Sequence, residues 1–145
     1  DQTMKKLVLI FALFAGTVSF AQEKIIQFNN LPKISQQFVT KYFNTKNISS
    51  VWLDDDFFSK DYEVHLNDGT KIEFDGKGNW KEIDTKQQQI PTLLIPKEIN
   101  KYVTKAFPQT QIIKIEKKRF GYKIELNNDL DLVFNTNGDF LRIDD

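Results

Sequence analysis

Cysteine is missing from this sequence, and histidine occurs once, at position 65. The first absence excludes thiol catalysis, disulfide staples and thiolate metal sites. The second leaves His65 as the sole imidazole available to a histidine-based triad. A charge excess of either sign is also missing. The 20 basic and 20 acidic residues cancel, so nothing electrostatic draws the chain to nucleic acid or to an anionic membrane. Long apolar runs are absent too, apart from one near the N-terminus.

That run follows Met4. Lys5-Lys6 is a short basic stretch, Leu7 to Ala15 is apolar, and Ser19-Phe20-Ala21 places small residues at the first and third positions before a cut. The pattern predicts a secretory signal peptide over residues 4–21, cleaved after Ala21, and is too short for a stable membrane span. With no cysteine after it, a lipid anchor is not expected. Cleavage removes Lys5, Lys6 and Asp1, leaving 18 basic and 19 acidic residues and a net charge of −1. An exported chain without disulfides must hold together by core burial alone, and about two thirds of the surface of a chain this size can be buried.

What is present is a pattern written twice. Leu31-Pro32-Lys33 through Val39-Thr40-Lys41-Tyr42-Phe43 returns as Ile95-Pro96-Lys97 through Val103-Thr104-Lys105-Ala106-Phe107, and Phe74-Asp75-Gly76 through Asn79-Trp80 is echoed by Phe134-Asn135-Thr136 through Asp139-Phe140. Leu31, Ile34, Phe38 and Tyr42 recur at helical spacing behind Pro32, with Asn29 and Asn30 placed to cap. Pro108 stops the second helix. Alternating segments follow each helix, separated by Asn-Asp-Gly and Asp-Gly turns. The expected fold is therefore α+β: two tandem repeats, each one helix and a four-stranded antiparallel meander, with the helices on one sheet face. The first repeat spans 22–84 with a polar lead-in, 85–94 is a linker, and the second spans 95–145.

Strand parity sorts the side chains. Val51, Leu53, Tyr62, Val64, Leu66, Ile72 and Phe74, then Ile113, Ile115, Tyr122, Ile124, Leu126, Leu132 and Phe134, form the face under the helices, continued by Ile83, Leu141 and Ile143. Opposite parity leaves Trp52, His65, Trp80, Phe140 and Arg142 among charged residues on the uncovered face. Exposed aromatic side chains with Arg are the usual anchors of interfaces. A β-bulge would reverse that parity and carry Trp80 into the core. The first repeat also carries four extra residues, because its helix is offset from the second by 64 positions and its later strands by 60. They fall around Phe57 and Phe58, in a hairpin, where insertions and function concentrate. The candidate protein-binding residues are accordingly Trp52, Phe57, Phe58, His65, Trp80, Phe140 and Arg142.

Metal and acid–base chemistry find little support. Asp54-Asp55-Asp56 with Asp61 lacks the glycine turn of a calcium loop and reads as a solvated acidic hairpin. Lys77 stands where such a loop would need oxygen in Asp75–Asn79, and Asn135, Asn137 and Asp139 come closer without completing one. Glu63 and Glu73 could approach His65 at a metal, and Asp and Glu side chains, such as Glu63 and Glu73, offer the only plausible acid–base pair. No catalytic residue, metal or cofactor is assigned.

Two helix-plus-meander units behind a signal peptide, each with an Asp/Asn-Gly turn and an aromatic in its last strand, resemble the PepSY-like family of exported bacterial proteins. That family is similar in fold to the beta-lactamase inhibitory protein. The resemblance spans about residues 29–145. It implies a periplasmic or secreted, non-enzymatic protein that binds another extracytoplasmic protein; the charge balance and the short apolar run add the expectation of no nucleic acid and no stable membrane insertion. A small-ligand or metal-binding periplasmic protein is the alternative.

Overall fold

The computed structural model describes residues 22–144, so the expected signal peptide lies outside the described residues. Nine strands run in chain order through one antiparallel sheet, each bonded to the next. They are β1 (Gln22–Ile26), β2 (Ile48–Asp55), β3 (Lys60–Leu66), β4 (Lys71–Phe74), β5 (Trp80–Asp84), β6 (Ile112–Lys118), β7 (Gly121–Leu126), β8 (Asp131–Asn135) and β9 (Phe140–Asp144). Helix α1 (Lys33–Tyr42) separates β1 from β2, and α2 (Lys97–Ala106) separates β5 from β6.

This overturns the expected plan of two tandem helix-plus-four-strand units. The described residues are mostly β, with two ten-residue α-helices against a single nine-stranded sheet. Two pairings make the difference. β5 bonds β6 through Glu82–Glu116, Ile83–Ile115 and Asp84–Lys114, joining into one sheet the two meanders whose continuity the sequence leaves open. The polar lead-in supplies β1, whose Gln22–Ile26 pairs with Asp55–Val51.

One core serves the whole sheet. Val39 of α1 and Ile99 and Val103 of α2 are buried with Val51, Val64, Ile72, Phe74, Ile83, Ile115, Ile124, Leu132 and Phe134. Ile90 and Leu94, between β5 and α2, join them. At about 25 cal/mol per Å² of apolar area, such burial outweighs any intrinsic preference of a ten-residue helix, which is marginal alone. The first helix differs in detail from its expected stripe. Ser35 is fully buried while Ile34 is about half exposed, and the residue before the helix is Pro32, with no side-chain cap from Asn29 or Asn30.

The turns use their own polar side chains. Asp75 Oδ1 accepts from the amides of Lys77 (3.0 Å) and Asn79 (2.9 Å), and Asn135 Oδ1 accepts from Asn137 (3.0 Å) and Asp139 (2.9 Å). Gly78 adopts φ +93° and lies so close to α1 that a Cβ there would stand 2.6 Å from Pro32 Cβ. Ser35 Oγ donates to its carbonyl at 2.8 Å, fastening helix to hairpin.

Two bulges move aromatic residues across the sheet. Glu73 pairs with Glu82, so an unbroken ladder would set Phe74 against Lys81; the register shifts there and Phe74 faces Trp80. In the same way Val133 pairs with Arg142, and Phe134 then faces Phe140 rather than Leu141. A bulge inserts one residue and reverses parity beyond it. Trp80 and Phe140 therefore pack on the helix side, against expectation. Trp80 lies 6.3 Å from Phe38, and Phe140 stacks on Tyr102 at 4.6 Å. Leu141 and Ile143, expected inside, are about half exposed, because one is the extra residue of the bulge and the other sits on an edge strand.

Candidate binding surface

Of the seven residues singled out from sequence, the structure leaves four together on or beside β2 and β3. Trp52 and His65 lie on the face away from the helices, where Trp52 stands opposite Glu63 and Ile25, and His65 opposite Ser50 and Lys71. Phe57 and Phe58 occupy the tip of the β2–β3 hairpin, 90% and 93% exposed. Arg142 is exposed on β9, at the far edge of the sheet. Trp80 and Phe140 are under the helices.

The hairpin tip is built rather than loose. Asp56 Oδ1 accepts from the amides of Phe58 (2.8 Å) and Ser59 (2.7 Å), and the Asp56 amide donates to the Ser59 carbonyl at 3.0 Å. Those two amide bonds hold the Asp56 carboxyl below its ordinary value. With the turn closed, the two rings meet edge to face at 5.3 Å and point nowhere but into solvent.

Below the tip, Glu23, Ser50, Trp52, Asp54, Glu63 and His65 line a shallow recess of about 390 Å³. Trp52 Nε1 donates to Ser50 Oγ at 3.0 Å, which fixes the indole. His65 Nε2 lies 3.0 Å from Glu63 Oε2. Glu23, Asp54 and Asp61 stand in one row across β1, β2 and β3. Among the described residues no group of three or more His, Cys, Asp or Glu is disposed to hold a metal.

Most of the other carboxylates on the open face are paired with lysine. Lys71 and Lys114 both reach Glu82 (3.3 and 3.4 Å), Lys114 and Lys118 reach Glu116 (3.1 and 2.9 Å), and Lys81 reaches Asp61 (3.3 Å) and Glu73 (3.8 Å). Partial burial works against the charged forms of Lys71 and Lys114, and the carboxylates around them prevail, so both ammonium groups titrate above the ordinary 10.5. Burial opposes the ionised form of Glu116 as well, yet its two lysines hold it below 4.5. Glu73 goes the other way: burial raises it, Lys81 only partly offsets this, and Glu82, Asp61 and Glu63 add repulsion. The suggested acid–base pair, Glu63 and Glu73, thus consists of register neighbours within an ion-paired sheet face.

Sequence reasoning missed β1, and with it Glu23 and Ile25, which complete the recess and its rim. Gln22-Glu23-Lys24-Ile25-Ile26 has no polar–apolar alternation to betray a strand. The recess is visible only once β1 is laid beside β2.

Comparison with known proteins agrees with this architecture. A periplasmic protein of Bacteroides thetaiotaomicron, described as calcium-regulated, shares 36% identity over 85% of this chain and 97% of its own, with a TM-score of 0.81. A periplasmic protein of the DUF2874 family from Bacteroides vulgatus shares 32% identity over 86% of this chain and 98% of its own, TM-score 0.80. A second periplasmic protein of that organism, of unknown function, shares 32% over 86% and 100%, TM-score 0.80. No curated protein matches. Among the described residues no helix is long and apolar enough to cross a membrane. The periplasmic or secreted location expected from sequence agrees with these neighbours. A family profile described as beta-lactamase-inhibitor-like, PepSY-like, matches residues 60–142, more than half of the sequence, and the chain belongs to that PepSY-like family.

Proposed function

We propose that this is an exported, non-enzymatic binding module that grips an extracytoplasmic protein with the β2–β3 hairpin tip and the open sheet face beside it. The observation that carries this reading is the Phe57–Phe58 pair, almost wholly exposed yet held on a tightly bonded turn. Leaving two phenyl rings in water forgoes about 1.5–3 kcal/mol each, a cost with no return in the isolated molecule. Presenting them on a rigid tip lowers the ordering entropy lost on association. Trp52, His65 and Glu63 extend the surface along β2 and β3. The inhibitor-like description of the family supports protein binding over catalysis.

The test is affinity capture from a native envelope fraction, comparing the mature domain with its Phe57→Ser/Phe58→Ser variant. The variant should melt within about 4 °C of the parent, since each surface change of this kind moves stability by no more than roughly 0.5 kcal/mol and 1 kcal/mol shifts the melt by about 4 °C at this size, and it should lose the captured protein. A variant that still captures the same protein would place the contact elsewhere.

A second reading is favoured by one observation. The 36%-identical neighbour is described as calcium-regulated. Calcium bound to the folded state alone would stabilise it with the logarithm of its excess over Kd, by about 2.7 kcal/mol at a hundredfold excess, and raise the melting temperature accordingly. An unchanged melt in millimolar calcium would end that reading.

A further inference from the structure

We infer that the Trp52 recess is a docking pocket for a cationic side chain, lysine or arginine, of the partner protein. This rests on the protein-binding reading and adds to it what the open face would recognise. Three features meet there. The first is an indole fixed by its bond to Ser50 Oγ at 3.0 Å. The second is an excess of negative charge. Glu23, Asp54 and Glu63 line the recess, and among the described residues neither Glu23 nor Asp54 enters an ion pair, while Glu63 pairs only with His65. This contrasts with Glu82, Glu116, Glu73 and Asp61, each matched by a lysine. The third is that Asp54, in the wall of the recess, keeps one buried carboxylate oxygen without a hydrogen-bond partner, so no donor within the described residues offsets that part of its charge.

The chain itself shows what an indole does with a cation. Lys117 Nζ stands 3.9 Å from the centroid of the Trp80 ring, its other tryptophan. Among the described residues no lysine or arginine takes the corresponding place over Trp52. An aromatic face ringed by carboxylates attracts ammonium and guanidinium groups through the ring quadrupole and through Coulomb forces together. A recess of about 390 Å³ open to the sheet surface admits one such side chain and leaves its backbone outside, where Ile25, 64% exposed at the rim, offers apolar contact.

The two tryptophans make the test internally controlled. In a ¹H–¹⁵N spectrum of the mature domain the two indole Nε1–H signals are assigned with Trp80→Phe. Acetylated, amidated Gly-Lys-Gly and Gly-Arg-Gly are then titrated, with Gly-norleucine-Gly as the uncharged control. A saturable shift of the Trp52 signal by a cationic peptide, with Trp80 unmoved, supports the pocket, as does at least roughly tenfold weaker binding in Asp54→Asn/Glu63→Gln. The unmoved Trp80 signal reports that this variant is folded. Three results would overturn it: no shift with either cationic peptide, an equal shift with norleucine, or a shift with calcium chloride alone. Loss of capture on changing Phe57 and Phe58 would stand whichever way this titration falls.

Discussion

Phe74 and Trp80 face each other across β4 and β5, and Phe38 of α1 approaches both, at 5.8 and 6.3 Å. Lys117 closes over the outer side of the indole; its ammonium is desolvated there, only partly offset by Asp75, and falls below its ordinary value. Among the described residues no cation covers Trp52 in this way. The two tryptophans should therefore separate under substitution. Trp80→Ala removes a ring packed against the core and should cost about 2–4 kcal/mol, lowering Tm by about 10 °C or more. Trp52→Ala should cost at most about 1 kcal/mol, since the indole meets only one hydrogen-bond partner and an open recess. Thermal melts of the two variants check this, and equal losses would show that Trp52 too is a core residue. This difference could not be read from strand alternation. Both tryptophans fall on the same parity if strands are counted without interruption, and a single inserted residue, Lys81, separates them. The doubled Asx-turn sequences at Asp75 and Asn135 were the visible hint, because each precedes an aromatic that the bulge turns inward.

The joints between elements carry comparable weight. Helix α1 meets the β4–β5 turn at Gly78, where an added Cβ would lie 2.8 Å from Ser35 Oγ and 2.9 Å from Ile34 Cγ1, at a φ of +93°. Gly69, in the β3–β4 turn, shares the left-handed backbone at φ +92° but has only Lys86 Cγ nearby, at 3.7 Å. Comparing alanine at the two sites divides backbone strain from helix docking. Gly69→Ala should cost about 1 kcal/mol, the strain alone. Gly78→Ala should cost about 2–4 kcal/mol, because Pro32 and Ser35 must also move. Denaturant melts measure both, and equal costs would mean that α1 yields freely. Element positions were largely legible, since helical spacing over Leu31–Phe43 and alternation in Tyr62–Leu66 both survive in the structure. What escaped was an element without periodicity: β1 forms only because β2 extends to Asp55 and offers it an edge.

Across the whole molecule, the seam between β5 and β6 turns two expected meanders into one sheet, and it rests on three register pairs. One of them opposes Glu82 to Glu116, like charges that destabilise a cross-strand pair. Lys114 lies between them, 3.4 Å from one and 3.1 Å from the other, which explains why a sheet could close there at all. Sequence could not reveal this, since Lys114 and Glu82 are brought together only by the long return through α2. Lys114→Gln should thus weaken the fold by about 1–2 kcal/mol at pH 7, more than an exposed pair but less than a fully buried one. The dependence on pH has a definite sign. Glu116 is held below 4.5 in the folded protein, so its contribution is present above 4.5 and is lost as pH falls through the lower folded value. Lys114 titrates above 10.5 in the folded protein, so its contribution is present below 10.5 and is lost as pH rises beyond it. Glu73 and Glu125 are raised by burial and act in the opposite direction on acidification, which blurs the absolute acid response of either protein. The gap between parent and variant removes that background. It should hold steady from about pH 6 to 9 and narrow towards pH 3 as the carboxylates lose their charge. Urea denaturation at pH 3, 5 and 7 measures it, and a gap as wide at pH 3 as at pH 7 would assign the role of Lys114 to the packing of its stem.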